Sequence, residues 1–128
     1  MFKFLKKMKK ILIVEDDPIL RKSIADEMRD EGYTVFEARS GDEALPIAFS
    51  EKPNLIVLDL MLPDQNGMSI LEEIRNDEWG RGVPVVILSN LRQGDALLEQ
   101  TRKHNVFDYI EKANLSLGEV TERIRNAL

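Results

Sequence analysis

The sequence predicts an α/β fold in which five strands alternate with five helices, giving a three-layer sandwich around a parallel sheet. Three apolar runs rich in β-branched residues are the first observation, at Ile11–Val14, Leu55–Leu58 and Val83–Leu88. Such continuous runs suit strands that are buried on both faces of a parallel sheet. The second observation is that segments of helical period lie between the strands, and right-handed crossovers place such helices on both faces of the sheet.

A capped amphipathic helix is predicted after the first strand. Asp17 is a suitable N-cap residue, Pro18 suits the first helical position and Gly32 marks the end. The apolar positions between them share one face, at Leu20, Ile24 and Met28. We therefore expect this helix to pack on the sheet along that face.

Two serine–glutamate pairs predict where the second and fifth helices begin. Ser40 with Glu43 and Ser116 with Glu119 have the spacing of a capping box, in which each side chain bonds to the backbone N–H of the other residue. Pro46 lies within the second helix, where its missing N–H costs roughly 3 kcal/mol. We expect a kink or a late start of that helix.

The remaining elements carry weaker signals. Thr34–Ala38 and Val106–Ile110 are half-polar, as expected for strands near the edges of a sheet. The fourth helix, over residues 93–104, offers few side chains to a core, namely Ala96, Leu97, Leu98 and Thr101. Weak packing implies low local stability, so we expect this helix to be mobile.

Length and composition indicate one soluble domain. The chain has 128 residues, of which 43% are hydrophobic and 32% are charged, and this fits a single core. Cysteine is absent, which excludes disulfides and thiolate metal sites and makes a reducing cytoplasm the expected location. The longest apolar run is far shorter than the ~20 residues that a membrane span needs.

Charge is distributed unevenly along the chain. The formal net charge is −5, yet five lysines lie in the first ten residues, and the rest of the chain has 13 basic against 23 acidic residues, a charge of −10. We expect residues 1–8 to form a frayed basic tail and residues 9–128 to form the domain. The acidic balance argues against direct nucleic-acid binding by the domain, because phosphate contacts need a basic face.

Acidic residues follow two strands that are expected to be neighbours. Glu15, Asp16 and Asp17 come directly after the first strand, and Asp59 comes after the third. In the doubly wound, flavodoxin-like order 2-1-3-4-5 these two strands are adjacent, and ligands bind at the carboxyl ends where the order reverses. Gathered carboxylates repel one another unless a cation compensates them. Oxygen donors without cysteine or a nearby histidine favour a hard ion, above all Mg²⁺.

Two further polar groups follow the other inner strands. Ser89 comes after the fourth strand and Lys112 after the fifth, so a hydroxyl and an ammonium face the same cleft. Phosphoryl transfer needs positive charge and hydrogen-bond donors around the phosphoryl oxygens. Mg²⁺, Lys112 and Ser89 supply that set, with Asp59 as the in-line nucleophile. The sequence therefore predicts that Asp59 accepts a phosphoryl group.

Four segments together resemble the response-regulator receiver family of two-component signalling, which includes the chemotaxis regulators. They read KKILIVEDDPILR, LIVLDLMLPDQNG, VPVVILSN and DYIEK, and they span nearly all of residues 9–128. The resemblance implies a phosphoacceptor signalling domain that catalyses only its own phosphorylation and dephosphorylation. Its implied partners are a histidine kinase or histidine phosphotransfer protein and a downstream protein or output domain, and a phosphorylation-dependent dimer is one assembly that the resemblance allows.

The resemblance also implies which residues bind the metal. Asp16 and Asp59 are expected to bind Mg²⁺ directly, with the backbone carbonyl of Met61 as a further ligand. Glu15 and Asp16 form the acidic pair of the family, in which Glu15 is expected to bind the metal through water. Asp17 falls just outside this pair. Mn²⁺ is the expected substitute for Mg²⁺.

Three residues have implied roles around the phosphoryl group. Lys112 and Ser89 are expected to contact its oxygens. Ser89 then moves toward the phosphoryl group, and Tyr109 rotates into the vacated space. The face made by the fourth helix, fifth strand and fifth helix changes as a result, which requires two packings that differ by only a few kcal/mol.

Three residues depart from the family pattern. Ala113 follows Lys112 where the family usually has proline, often after a cis bond. Because a cis bond before another residue costs ~2.5–4 kcal/mol, we expect a trans bond there and a displaced Lys112. Asn90 follows Ser89 where a small apolar residue is common, and it would either orient or obstruct the water that hydrolyses the acyl phosphate. The apolar Met61 side chain over the same approach favours slow self-dephosphorylation.

Two alternative functions remain at this point. A displaced Lys112 would favour a receiver-like interaction domain that works without phosphorylation. A phosphatase of the haloacid dehalogenase type needs a second acid two residues after the nucleophile, and this chain has Met61 there. The phosphatase is therefore the weaker alternative.

Overall fold

The computed structural model describes residues 9–92 and 95–128. Within them the strands are β1 (Lys10–Val14), β2 (Thr34–Ala38), β3 (Leu55–Leu58), β4 (Val85–Ser89) and β5 (Asp108–Glu111). The helices are α1 (Pro18–Asp30), α2 (Gly41–Glu51), α3 (Gly67–Asn76), α4 (Ala96–Thr101) and α5 (Leu117–Asn126). Short 3₁₀ turns follow α3, α4 and β5, at Trp79–Arg81, Arg102–His104 and Lys112–Asn114.

The five strands form one parallel sheet in the order β2-β1-β3-β4-β5. This confirms the predicted fold class and strand order. Each strand is joined to the next in the chain by a helix, as crossovers between parallel strands require. The acids that follow β1 and β3 are therefore brought to the same edge of the sheet.

Two apolar clusters cover the two faces of the sheet. One contains alternate strand residues such as Leu12 and Leu58 with side chains of α2, α3 and α4, and the other contains Ile11 and Val57 with side chains of α1 and α5. All residues of β3 are buried. This arrangement explains why the inner strands read as continuous apolar runs rather than alternating ones.

The N-terminal half of the fold follows the predicted caps. The Asp17 side chain accepts hydrogen bonds from the first turn of α1, Pro18 is its first residue, and Gly32 beyond its end has a φ of 104°, which suits glycine. Ser40 caps α2, but the Glu43 side chain bonds to Arg39 N–H instead of completing a capping box. The capping box of α5 is complete.

Pro46 does not delay the start of α2, so the expected late start was wrong, and the expected kink stays a prediction. The helix runs from Gly41 to Glu51 with Pro46 inside it. Proline removes the N–H that would bond to the carbonyl of Asp42. Asp42 is exposed, so water can replace the lost bond.

Two boundaries in the C-terminal half also differ from the prediction. β5 begins at Asp108 rather than at Val106, because ladder pairing with β4 starts where Asp108 lies opposite Val86. The described part of α4 begins at Ala96 after the N-cap Asp95, and Ala96 is exposed rather than turned to the core. Residues 93–94, the predicted start of that helix, lie outside the described residues.

Hydrogen exchange is expected to be much faster in α4 than in α1. Only Leu98 and Thr101 are buried in the six residues of α4, whereas α1 has 13 residues and buries Ile24, Ala25 and Met28. Few buried contacts imply a low free energy of local opening, and a difference of about 1.4 kcal/mol already gives tenfold faster exchange. Exchange measured residue by residue by NMR tests this, and equal protection of the two helices would contradict it.

Two expectations concern parts of the chain away from the sheet. The predicted basic tail of residues 1–8 lies outside the described residues. In the described part of the chain, no helix combines the length and the apolar character that crossing a membrane would need.

Candidate functional site

Strand register places the site residues at one edge of the sheet. Val14 of β1 lies opposite Leu58 of β3, so the residues that follow, Glu15 and Asp59, leave the sheet side by side. At the other side of β3, β4 pairs with β5 so that Ser89 lies opposite Glu111. Lys112 therefore leaves the sheet one position beyond Ser89.

Three carboxylates converge at this edge, as the sequence predicts. One oxygen each from Glu15, Asp16 and Asp59 lie within 4.8 Å of one another. Glu15 is fully buried and Asp59 is 3% exposed, whereas Asp16 faces solvent. Asp17 is not part of this group of three, because its carboxylate caps α1 by accepting from Ile19 N–H at 3.0 Å.

Both carboxylate oxygens of Asp59 have a hydrogen-bond donor. Oδ1 accepts from the backbone N–H of Met61 at 3.0 Å, and Oδ2 accepts from Lys112 Nζ at 2.8 Å. The Asp59 backbone N–H bonds to the Val14 carbonyl at 3.0 Å. The side chain is therefore held in one orientation at the base of the cleft.

Lys112 reaches the acids, so the expectation that it would be displaced was wrong. No cis peptide bond occurs within the described residues, and the bond between Lys112 and Ala113 is trans. The ammonium nevertheless lies 2.8 Å from Asp59 Oδ2 and 2.5 Å from Glu15 Oε1. Lys112 begins a 3₁₀ turn, and its side chain lies in the cleft without a proline at position 113.

Burial and charge shift two pKa values in the cleft. Burial raises the pKa of the Glu15 carboxyl to about 7, and the nearby charge of Asp59 adds to this, although Lys112 and the Asp17 N–H oppose it. Burial alone would lower the pKa of Lys112, but hydrogen bonds to Asp59 and Glu15 outweigh burial and raise it. The lysine is thus cationic, and the buried acids carry an electrostatic cost that a bound cation would relieve.

The hydrogen bonds of the Ser89 and Tyr109 side chains go to residues outside the acidic cluster. Ser89 is buried, and its hydroxyl accepts from Leu91 N–H at 3.0 Å. The Tyr109 hydroxyl lies 3.0 Å from the Thr101 hydroxyl at the end of α4, and the Arg102 guanidinium lies 5.0 Å from the centre of its ring. Sequence reasoning missed both partners of Tyr109, one at the end of α4 and one in the 3₁₀ turn after it, because they are specified only by how this segment packs against β5.

An open cleft of about 490 Å³ lies over the acids. It is lined by the acidic residues and Lys112. The three residues that depart from the family pattern, Met61, Asn90 and Ala113, also line it. The Met61 side chain is 57% exposed. A small anionic molecule can therefore reach Asp59 from solvent, past Met61 and Asn90.

The loop between β3 and α3 packs closely against Asp59. Gly67 N–H bonds to the Leu60 carbonyl at 2.7 Å, and a Cβ at position 67 would lie 2.5 Å from the Asp59 carbonyl oxygen. Only glycine permits this approach. Asn66 caps α3 by accepting from Ser69 N–H. This helix start was not assigned from the sequence, although asparagine and glycine just before a run of helical period could have signalled it.

The donor set fits a hard divalent cation. Three carboxylates share the cleft with one ammonium, so negative charge remains in excess. All the candidate side-chain donors are oxygen atoms, which Mg²⁺ and Mn²⁺ accept. A cation here would lie between the acids and any phosphate that approaches Asp59.

Comparisons with known proteins agree with this geometry. A family model described as the response regulator receiver domain matches residues 11–125. KdpE, the KDP operon transcriptional regulatory protein of Escherichia coli K12, is 35% identical over 121 residues, covering 94% of this chain and 52% of KdpE. The polar-differentiation response regulator DivK of Brucella ovis is 32% identical over 121 residues, covering 94% of this chain and 96% of DivK.

A solved structure of a metal-bound response regulator resembles the fold. The Mn²⁺-bound form of the response regulator Rcp1 superposes with a TM-score of 0.76 at 25% identity, covering 92% of this chain and 90% of that one. The chain spans about half the length of several curated relatives that it matches, KdpE among them.

Proposed function

The chain belongs to the response regulator receiver domain family, and on that premise we propose that it accepts a phosphoryl group on Asp59 from a histidine kinase or histidine phosphotransfer protein. As a receiver it is a phosphoacceptor signalling domain rather than a classical enzyme. The observation that carries the proposal is the Asp59 carboxylate, which bonds to Lys112 and lies beside Glu15 and Asp16. We assign the domain to residues 9–128.

We propose Mg²⁺ as the metal, with Mn²⁺ as a substitute. Asp16, Asp59 and the Met61 carbonyl would bind it directly, and the buried Glu15 would bind through water. The oxygen-only donor set and the excess negative charge of the cleft support this assignment. When bound, the cation supplies positive charge that offsets the repulsion between Asp59 and an anionic phosphoryl donor.

The residues of the chain position and stabilise the transferred group. An Asp59 oxygen attacks the phosphorus in line, and the bond to the leaving group breaks as the new P–O bond forms. Lys112, already 2.8 Å from Asp59, neutralises charge on the phosphoryl oxygens, and Ser89 donates a hydrogen bond to one of them. The Asp59–Met61 bond keeps the nucleophile oriented throughout.

Phosphorylation would change the face formed by α4, β5 and α5. To reach the phosphoryl group, the Ser89 hydroxyl gives up its bond with Leu91 N–H. Tyr109 turns into the space left by Ser89 and gives up its contact with Thr101. The sparse burial of α4 supports two packings of similar free energy. This face would then bind a downstream protein or output domain, or a second phosphorylated copy.

The proposed setting is the cytoplasm, and the proposed output acts through protein contact. Acidic residues outnumber basic ones, 23 to 18 over the whole chain, so the domain itself is not expected to bind nucleic acid. KdpE and similar relatives are about twice as long as this chain, and their regulatory activities are not assigned to it.

Intact-mass measurement tests the proposed function. The chain is incubated with acetyl phosphate, a small acyl-phosphate donor, with Mg²⁺ or with EDTA. We expect one added phosphoryl group with Mg²⁺ and none with EDTA, and the modification should be stable in acid and labile in alkali. Absence of any mass increase with Mg²⁺ would favour the receiver-like interaction domain that works without phosphorylation.

Self-dephosphorylation is expected to be slow, with a lifetime of minutes or longer. The exposed Met61 side chain and Asn90 line the path by which water reaches Asp59. An apolar side chain gives the attacking water no hydrogen-bond partner. Decay of the phosphorylated species without phosphatase measures the lifetime, and Met61→Asn should shorten it. A half-life of seconds for the unaltered chain would contradict the prediction.

A further inference from the structure

Asp64 joins the loop that carries the site to a different helix. Its Oδ1 accepts from Gly41 N–H at 3.0 Å, and its Oδ2 accepts from Asp42 N–H at 2.9 Å. Both donors belong to the first turn of α2. Asp64 itself lies in the loop between β3 and α3, five positions after Asp59. One exposed carboxylate thus links two elements that are more than 20 residues apart in the chain.

The charge of Asp64 is well suited to this contact. Hydrogen bonding from the Gly41 N–H is the main reason why the pKa of Asp64 lies below its usual range, and the Asp42 N–H adds to it. The carboxylate is therefore ionised at neutral pH, and it lies at the positive end of the α2 dipole. Ser40 caps a different N–H of the same helix, that of Glu43. Asp64 and Ser40 therefore bond to different N–H groups of α2, and neither side chain substitutes for the other.

The same loop carries Met61, whose backbone carbonyl is a proposed metal ligand. Met61 is bound to Asp59 Oδ1 through its N–H and is paired with Asn66 across the loop in an isolated antiparallel bridge. Asp64 lies between these two residues in the chain. Its two bonds attach this part of the loop to the first turn of α2, where the Gln65 side chain also lies against Gly41.

We propose that Asp64 is a positioning residue, which fixes the Met61 backbone for cation binding by tying the loop to the N-terminus of α2. This inference rests on the proposed function, because it assigns the Met61 carbonyl to the metal. Asp64 touches neither the metal nor the phosphoryl group. Outer residues that orient ligands in this way commonly change metal affinity by about 10–100-fold when they are lost.

Three variants of the full chain separate positioning from simple helix capping. Asp64→Ala removes both acceptors, and Asp64→Asn keeps one carbonyl acceptor but not the charge. Ser40→Ala is the matched control, since it removes a cap from the same helix without touching the loop. Mn²⁺ affinity of the apo chain by electron paramagnetic resonance, amide exchange of Met61 and Gly67, and the thermal midpoint are measured for each.

We expect Asp64→Ala to lower Mn²⁺ affinity about tenfold and to speed exchange of the loop amides. Asp64→Asn should fall between Asp64→Ala and the unaltered chain. Ser40→Ala should lower the thermal midpoint while its Mn²⁺ affinity stays unchanged. Unchanged affinity in Asp64→Ala, or an equal loss in Ser40→Ala, overturns the inference and leaves the proposed function intact. If the unaltered chain binds no Mn²⁺, the proposed metal site and this inference both fail.

Discussion

Asp59→Asn is expected to abolish phosphoryl uptake from acetyl phosphate. An amide oxygen is a poor nucleophile, and no other carboxylate has the same pair of donors, the Met61 N–H and the Lys112 ammonium, among the described residues. Removing a catalytic nucleophile generally lowers the reaction rate by about 10⁴-fold or more. Intact mass after incubation with acetyl phosphate and Mg²⁺ measures the effect.

The same substitution is not expected to unfold the chain. Asparagine is close in shape to aspartate, and its carbonyl can accept from Lys112 or Met61. It also removes the negative charge that contributes to the raised pKa of Glu15. The thermal midpoint should therefore stay the same or rise, which separates lost chemistry from lost structure.

Asp17→Asn is the matched control for Asp59→Asn. It removes one carboxylate charge from the same edge of the sheet, and asparagine is as good an N-cap for α1 as aspartate. Uptake should remain within a few-fold of the unaltered chain. If Asp59→Asn still took up a phosphoryl group, another residue would be the acceptor and the assignment of Asp59 would be wrong.

The parts of the fold that could be predicted are those encoded in neighbouring residues. Local sequence is enough to predict strand runs such as Leu55–Leu58 and the helix cap formed by Asp17 and Pro18. The meeting of acids at one edge follows because ligand-binding residues lie at the carboxyl ends of parallel strands. The convergence of Glu15, Asp16 and Asp59 was therefore accessible from the sequence. The half-polar β5 had no such pattern, and its start was predicted two residues too early.

The features that were missed depend on contacts between distant segments. The bonds from Asp64 to α2 and from Thr101 to Tyr109 join elements whose relative placement no local pattern encodes. The expectation of a displaced lysine was argued only from the residue after Lys112. It failed because the Lys112 ammonium reaches Asp59 and Glu15 although the bond to Ala113 is trans. Local rules predict elements and strand ends, whereas side-chain bonds across elements require the packed structure.

Arg75 is the clearest example of such a contact, and its replacement is expected to destabilise the fold strongly. Its guanidinium donates to four backbone carbonyls beyond the end of α3, those of Gly80, Val83, His104 and Asn105, at 2.6–3.3 Å. The first two lie before β4 and the last two lie between α4 and β5. One side chain thus connects the ends of three helical segments at the edge of the sheet opposite the acids.

Arg75→Met should lower the free energy of unfolding by about 3–4 kcal/mol. Hydrogen bonds from a charged donor contribute about 1.5–3 kcal/mol each, and we discount their sum because the side chain is only partly buried and water can reach some of the carbonyls. For a chain of this size that loss lowers the thermal midpoint by roughly 10 °C. Chemical and thermal denaturation measure it.

Two further substitutions identify the cause of that loss. Arg75→Lys keeps the charge but cannot bond to all four carbonyls, so it should give an intermediate loss, about 2 kcal/mol. Arg81→Met removes an exposed guanidinium from the adjacent 3₁₀ turn and should change stability by no more than about 0.5 kcal/mol. If Arg75→Lys were as stable as the unaltered chain, charge rather than the branched donor set would explain the role of Arg75. Because the carbonyl of His104 is among its acceptors, Arg75 also anchors the end of the segment that begins with α4, so Arg75→Met should speed hydrogen exchange in α4 as well.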